Sequence, residues 1–258
     1  MYAHDLPAHA RNGMPVDTLS IAGFPVRATT APELAVELLT ALRESRRTTL
    51  FFANTNFVVK CRPLLAQMFD PSIIIANDGI GLDLAAKMLH GQRFPANLNG
   101  TDFTPYLCSQ SPHPLRIFLV GAQPRVLAKA EDHARNKLGQ QVVGTCDGYA
   151  GMADPDLIER INVAQPDLIL VALGNPVQEQ WILENRMQLN AGIVMGVGAL
   201  FDFWAGEKPR APKLVQKMRM EWFYRLSLEP KRLMRRYTVD ILVFFRVCYR
   251  YRNAQGSK

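Results

Sequence analysis

No stretch of this sequence stays apolar for long. The best membrane-spanning candidate, Ile241 to Phe245, ends after five residues at Arg246, where a spanning helix needs roughly 18–20. The opening MYAHDLPAHARNGMP has no apolar h-region, so no signal peptide is expected and the chain should be cytosolic or attached to a membrane from the cytosolic side. Cysteine is scarce: Cys61, Cys108, Cys146 and Cys248 are isolated and make no CxxC. That spacing predicts reduced, structural thiols, not a redox or metal site. Of five histidines, His4, His9, His113 and His133 fall in the opening segment, a loop or a helix surface. The GxxxxGK of a P-loop is missing, and no GxGxxG follows a strand-like run. These absences disfavour a P-loop ATPase and a nicotinamide-dependent oxidoreductase. GxSxG and HExxH are missing too. The one Asp-x-Asp pair, Asp154 and Asp156, opens DPDLIERI and reads as a helix cap. No metal and no other cofactor is expected.

Positive charge, by contrast, is concentrated at one end. Residues 206–258 carry 14 Lys and Arg against four Glu and Asp, a net of +10, while the whole chain is +7, which leaves −3 for residues 1–205. Trp222, Phe223 and Tyr224 are interleaved with these cations. A basic, aromatic segment suits an anionic membrane surface or a phosphate-bearing partner. Aromatics beside arginine would also serve as stacking platforms for nucleic acid, and a solvated helix with no partner is the plainest reading. The chain thus divides into a flexible lead-in (1–17), an α/β body (18–205) and a C-terminal appendage (206–258), which is expected to be dispensable for folding and needed for function.

Within the body, continuous apolar runs at Thr48–Ala53, Ser72–Ala76, Arg116–Val120, Asp167–Ala172 and Gly192–Val197 read as buried strands. Helical patterns lie between them, one opened by the capping box of Thr30 and Glu33, others at Pro124–Leu138, Asp154–Ala164 and Pro176–Leu189. Unalternated hydrophobicity favours a parallel sheet covered on both faces, so the expected fold is a doubly wound, Rossmann-like α/β sheet with a basic, aromatic, helical C-terminal appendage. Ligands bind such sheets beyond the carboxyl ends of the strands. There the sequence places Asn54 and Asn56, Asn77-Asp78-Gly79, Gly121, Gly174 to Glu179 with Gln178, and Gly198 to Asp202. Each loop alone could be an ordinary turn, but five on one edge make a candidate site. Asp78 follows SIIIAN directly. It reads either as the N-cap of a helix over 79–89 or as a carboxylate general base.

These residues, in this order, resemble the TagA/WecG/CpsF family of bacterial glycosyltransferases over roughly Thr18 to Tyr237. The resemblance rests on Asn56, Asp78-Gly79, NGTDF from Asn99 (which includes Gly100 and Asp102), LGNPVQEQW from Leu173, GVGALFDFWAG from Gly196, RAP at Arg210 and EWFYRLSLEPKRLMRRY from Glu221. It implies metal-independent, inverting transfer of a sugar from a UDP-sugar bound by the body to a polyprenyl-diphosphate-linked sugar. The work would be done at the inner face of the cytoplasmic membrane, with no nucleic-acid partner and with a homo-oligomer left open. The family's base falls on Asp78 and its pocket residues on Asn54, Asn56 and Gln178, with Asn97, Gly100, Asp102, Gly121, Glu179 and Asp202 as further donor or acceptor contacts. Its diphosphate- and membrane-facing residues fall on Arg210, Trp222, Arg225, Arg232 and Arg235. Two positions depart from the pattern. Asn54 stands where Thr is common, and Asn97 where Arg is common. Losing that cation implies a different sugar from that of the N-acetylmannosaminyl enzymes, neutral or uronate. The wording NDGIGLDLA and NLNGTD is closer to the GumM-like exopolysaccharide branch, which implies a glucosyl donor and a β-1,4 linkage.

Overall fold

The computed structural model describes residues 18–212, 215, 221–228 and 230–256; the lead-in 1–17 lies outside them. Eight strands, β1 (Thr18–Ile21), β2 (Phe24–Arg27), β3 (Thr48–Ala53), β4 (Ile73–Asn77), β5 (Arg116–Gly121), β6 (Gln141–Cys146), β7 (Leu168–Ala172) and β8 (Ile193–Gly196), form one sheet. Their order is β1-β2-β4-β3-β8-β7-β5-β6. Only β1 and β2 pair antiparallel; every other pairing is parallel. The five strands read from apolar runs are all present, and the doubly wound α/β architecture is the observed one.

Side-chain alternation shows why these strands are apolar throughout. In β3, Phe51 and Ala53 face one core while Leu50 and Phe52 face the other. The same split divides Ile73 and Ile75 from Ile74 and Ala76, and Phe118 and Val120 from Ile117 and Leu119. Helices α2 (Thr55–Lys60), α3 (Ile80–His90), α6 (Leu157–Val163) and α7 (Val177–Asn185) cover the first face. Helices α1 (Ala31–Arg43), α4 (Gly100–Gln110), α5 (Pro124–Asn136) and α8 (Leu200–Trp204) cover the second. With both faces dry, neither set of side chains can be polar.

Three strands escape the sequence pattern. β1 and β2 are four-residue strands whose buried and half-buried residues alternate. Their turn, Ala22-Gly23, has φ of 50° and 95°, so it takes the two-residue primed geometry without the Asn-Gly or Asp-Gly that usually announces it. β6 is an edge strand with a register shift opposite Ile117/Phe118. There Gly144 makes room for the Phe118 ring, which an added Cβ would meet at 2.3 Å.

The C-terminal segment contains a helix at Glu221–Leu228 and a long helix at Pro230–Gly256. The division at 205/206 does not separate two packing units. Phe244 and Cys248, both fully buried, belong to the same core as Phe57, Val58, Cys61 and Leu82. The long helix packs on α2 and α3. Ser20 Oγ donates to the Tyr251 hydroxyl at 3.2 Å. The distal tail is therefore built into the fold, because its i, i+4 pair of apolar side chains completes a core that α2 and α3 leave open. Among the described residues no helix is long and apolar enough to cross a membrane.

Candidate active site

β3 lies between β4 and β8, so the loops carrying Asn54, Asp78 and Gly198 emerge side by side at the carboxyl edge of the sheet. Asp78 is half-buried there, its backbone N–H held by the Ala53 carbonyl at 2.7 Å. It is not the cap of α3. That position falls to Gly79, at φ 92°, with no side-chain cap bond; the positive φ is what calls for glycine. The Asp78 carboxylate accepts at Oδ2 from Asn54 Nδ2 at 3.3 Å. Asn54 does two jobs, since its Oδ1 also caps α2 by accepting from the Phe57 N–H at 3.1 Å. Thr55 and Gly81 bring the starts of α2 and α3 into contact, and a Cβ on Gly81 would lie 2.4 Å from the Thr55 methyl. Asn97 closes the same corner by accepting from the Gly79 N–H through Oδ1. Asn56 is half-buried in the first turn of α2.

The remaining candidates fall into three groups. Asp102 and Arg210, far apart in sequence, form an ion pair. Asn99 caps α4 beside them, accepting from the Asp102 N–H at 2.9 Å and donating to its carboxylate at 2.8 Å. Gly100 and Gly121 meet protein, not open space. A Cβ on Gly100 would meet the Phe52 ring at 3.2 Å, and one on Gly121 the Ala172 carbonyl oxygen at 2.5 Å. Both glycines thus allow close packing of chain on chain. Asp202 pairs with Lys208 at 2.7 Å. Gln178 and Glu179 are buried at the start of α7, their polar atoms directed at neighbouring loops. The side chains of Trp222, Arg225, Arg232 and Arg235 lie outside the described residues.

The Asp154–Asp156 pair works differently from a simple cap. Asp154 Oδ1 accepts from the Asp156 N–H at 3.0 Å and its other oxygen pairs with Arg160 at 3.1 Å, while Asp156 occupies the cap position of α6 without a side-chain bond. Among the described residues no group of three His, Cys, Asp or Glu could hold a metal ion. The four cysteines are free and buried; burial pushes the Cys108 and Cys248 thiols up to about 12.

The site is the carboxyl edge of a parallel sheet, where a carboxylate accepts from the Asn54 amide and two helices start beside it. That arrangement suits proton abstraction next to a bound anion. A family model for the WecG/TagA/CpsF glycosyl transferases matches residues 19–258. The chain belongs to this family. Glycosyl transfer is therefore its activity. Asn99 and Asn175 stand inside the quoted motifs without a role of their own in the sequence reading; the structure has Asn99 donating to the Asp102 carboxylate and Asn175 to Glu179, which a motif does not announce.

Proposed function

We propose that this family member moves a hexosyl group, glucose before others, from a UDP-sugar to a polyprenyl-diphosphate-linked sugar. The product is a β-linkage, β-1,4 in the favoured case, in exopolysaccharide or cell-wall glycan assembly. The observation that carries the proposal is Asp78: a half-buried carboxylate at the strand-end mouth that accepts a hydrogen bond from Asn54. In this reading Asp78 takes the proton from the acceptor hydroxyl. The oxygen attacks the anomeric carbon from the face opposite UDP, the glycosidic C–O bond to UDP breaks, and configuration inverts. Backbone N–H groups of the glycine loops and the tail arginines Arg225, Arg232 and Arg235 would balance the leaving diphosphate without a metal. Asn97 in place of the commoner Arg favours a donor or acceptor sugar other than that of the N-acetylmannosaminyl enzymes, neutral or uronate.

Docking at the inner membrane face is supported by the +10 tail and by exposed apolar side chains. Ile80, Leu84 and Met88 are spaced by four on α3, and Val239, Leu242 and Val243 lie on the C-terminal helix. The nucleic-acid alternative has only the basic tail in its favour. The deciding experiment is UDP release over a panel of UDP-sugars with a lipid-diphosphate-sugar acceptor, with and without EDTA. Release with UDP-glucose that survives EDTA is expected. Release only with UDP-N-acetylmannosamine would replace the sugar assignment, and loss on chelation restored by Mg²⁺ would remove the metal-independent mechanism.

A further inference from the structure

Far more deeply buried than Asp78 is Glu179, 1% exposed, at the start of α7. Its Oε1 accepts from two side-chain amides, Gln178 Nε2 at 2.7 Å and Asn175 Nδ2. Its Oε2 makes no hydrogen bond to oxygen or nitrogen, and the Cys61 thiol at the end of α2 lies against the carboxyl. Among the described residues no cation pairs with it. An ionised carboxylate so placed would be costly, and burial pushes its pKa up.

The consequence runs through Gln178. An amide can be turned either way, and its neighbours decide which end is oxygen. Because Glu179 Oε1 is an acceptor, the Gln178 nitrogen must face it. The Gln178 oxygen must then face the Gly174 N–H at 3.3 Å and the Gly198 N–H at 3.0 Å. Those two N–H groups belong to the loops after β7 and β8. Gly196 has no side chain where one would press on the Gln178 amide, since an added Cβ would lie 3.0 Å from Nε2.

We propose that Glu179 is a positioning residue for the transfer reaction: its carboxyl fixes the Gln178 and Asn175 amides, and through them ties together the loops after β7 and β8 on the sheet edge that also carries Asp78. It touches neither donor nor acceptor. The activity arm of the test rests on the transfer reading above; the exchange arm does not.

The test uses the full chain and three variants, Glu179→Leu, Glu179→Gln and Gln178→Leu, with the double Leu variant. Hydrogen exchange at the Gly174 and Gly198 amides should quicken at least ~10-fold in Glu179→Leu, the scale of one lost hydrogen bond. Exchange should return toward wild type in Glu179→Gln, whose amide oxygen can accept the same two donors. Turnover in the UDP-release assay should fall ~10-fold or more in Glu179→Leu, mostly in kcat, and Glu179→Gln should recover at least about a third of it. The double Leu variant should be no worse than the worse single one, because both act through the same link. Unchanged glycine exchange in Glu179→Leu overturns the proposal, whatever the substrate proves to be. So do additive losses in the double variant, which would give Glu179 a separate role. If Glu179→Leu does not fold, Glu179→Gln decides alone: near wild-type exchange and at least about a third of the turnover are expected, and a ~10-fold loss of either overturns the proposal, because an amide oxygen can hold the same two donors.

Discussion

Asp78 and Glu179 are two carboxyl groups on the same sheet edge, and their surroundings set them to different work. Asp78 is half-buried at the mouth, with one oxygen accepting from the Asn54 amide. Glu179 is sealed, takes two amides on one oxygen and has a thiol beside it. A carboxyl open to the cleft can exchange a proton with a substrate; one sealed in the core can only hold neighbours in place. The comparison extends past this pair: changes at the mouth should alter rate and leave stability alone, while changes in the interior should act on the fold and reach the rate only where, as proposed for Glu179, the buried group positions a loop of the site.

The largest expected effect follows from Asp78→Asn, which keeps the shape and removes proton acceptance. Transfer should fall by ~10²–10⁴, with UDP affinity and thermal midpoint unchanged. A variant retaining more than about a tenth of wild-type turnover would falsify the role as general base and leave the mouth without its distinguishing carboxylate.

The interior side of the comparison is tested at Phe244. Phe244→Ala should cost ~3–5 kcal/mol in a urea titration, while turnover per folded molecule stays within about twofold. Truncation from residue 206 should cost more, since it also removes Cys248 from the core. Cys248, buried and with its thiol pushed up to about 12, reports on the docking. It should resist a maleimide in the intact chain and react readily in Phe244→Ala. Rapid labelling of the intact protein would mean that the C-terminal helix is undocked in solution.

What was legible in the sequence follows the same division. Strands such as Thr48–Ala53 are visible because both of their faces are dry. The hairpin Thr18–Arg27 is hidden because its strands are short and its turn uses Ala22 where Asn or Asp would have signalled it. Asp78 was legible as a mouth residue because a strand ends at Asn77. Whether it or Gly79 capped α3 was not, since that depends on a single φ angle. Gln178 and Glu179 sit in a motif but are buried, and a motif does not say which way a side chain faces. The tail read as an appendage because charge counts weigh every residue alike. Phe244 and Cys248 are two apolar positions among many cations, and only the packing shows that they complete a core.

A smaller effect separates the two jobs of Asn54. Asn54→Ser keeps an oxygen to cap α2 but loses the amide that donates to Asp78. Stability should change by less than ~0.5 kcal/mol, since serine caps as well as asparagine. Turnover should drop ~10-fold, the loss of one hydrogen bond to a charged group. An equal loss in stability and none in turnover would make Asn54 a cap alone.

The smallest effect belongs to the interior's rim and depends on pH. Arg186 of α7 donates to Asp70 Oδ2 at 2.6 Å and to Ser72 Oγ at 2.7 Å, clamping α7 to the entry of β4. The arginine holds the Asp70 carboxyl well below the usual carboxylate range, helped by the Ser72 hydroxyl and N–H. A carboxyl depressed in the folded state adds stability that is fully present above its unfolded value of ~3.9 and is lost as pH falls toward the folded one. Asp70 is 36% exposed, so solvent screens the pair and the contribution should be about 1 kcal/mol at neutral pH, not the several that a dry pair would give. Asp70→Asn should therefore be about 1 kcal/mol less stable than wild type at pH 7. The gap should hold down to about pH 5 and close below about pH 4, as the wild-type carboxyl protonates. Turnover at pH 7 should not change. A gap that stays constant down to pH 3 would show that shape, not charge, holds α7 to β4 at this point.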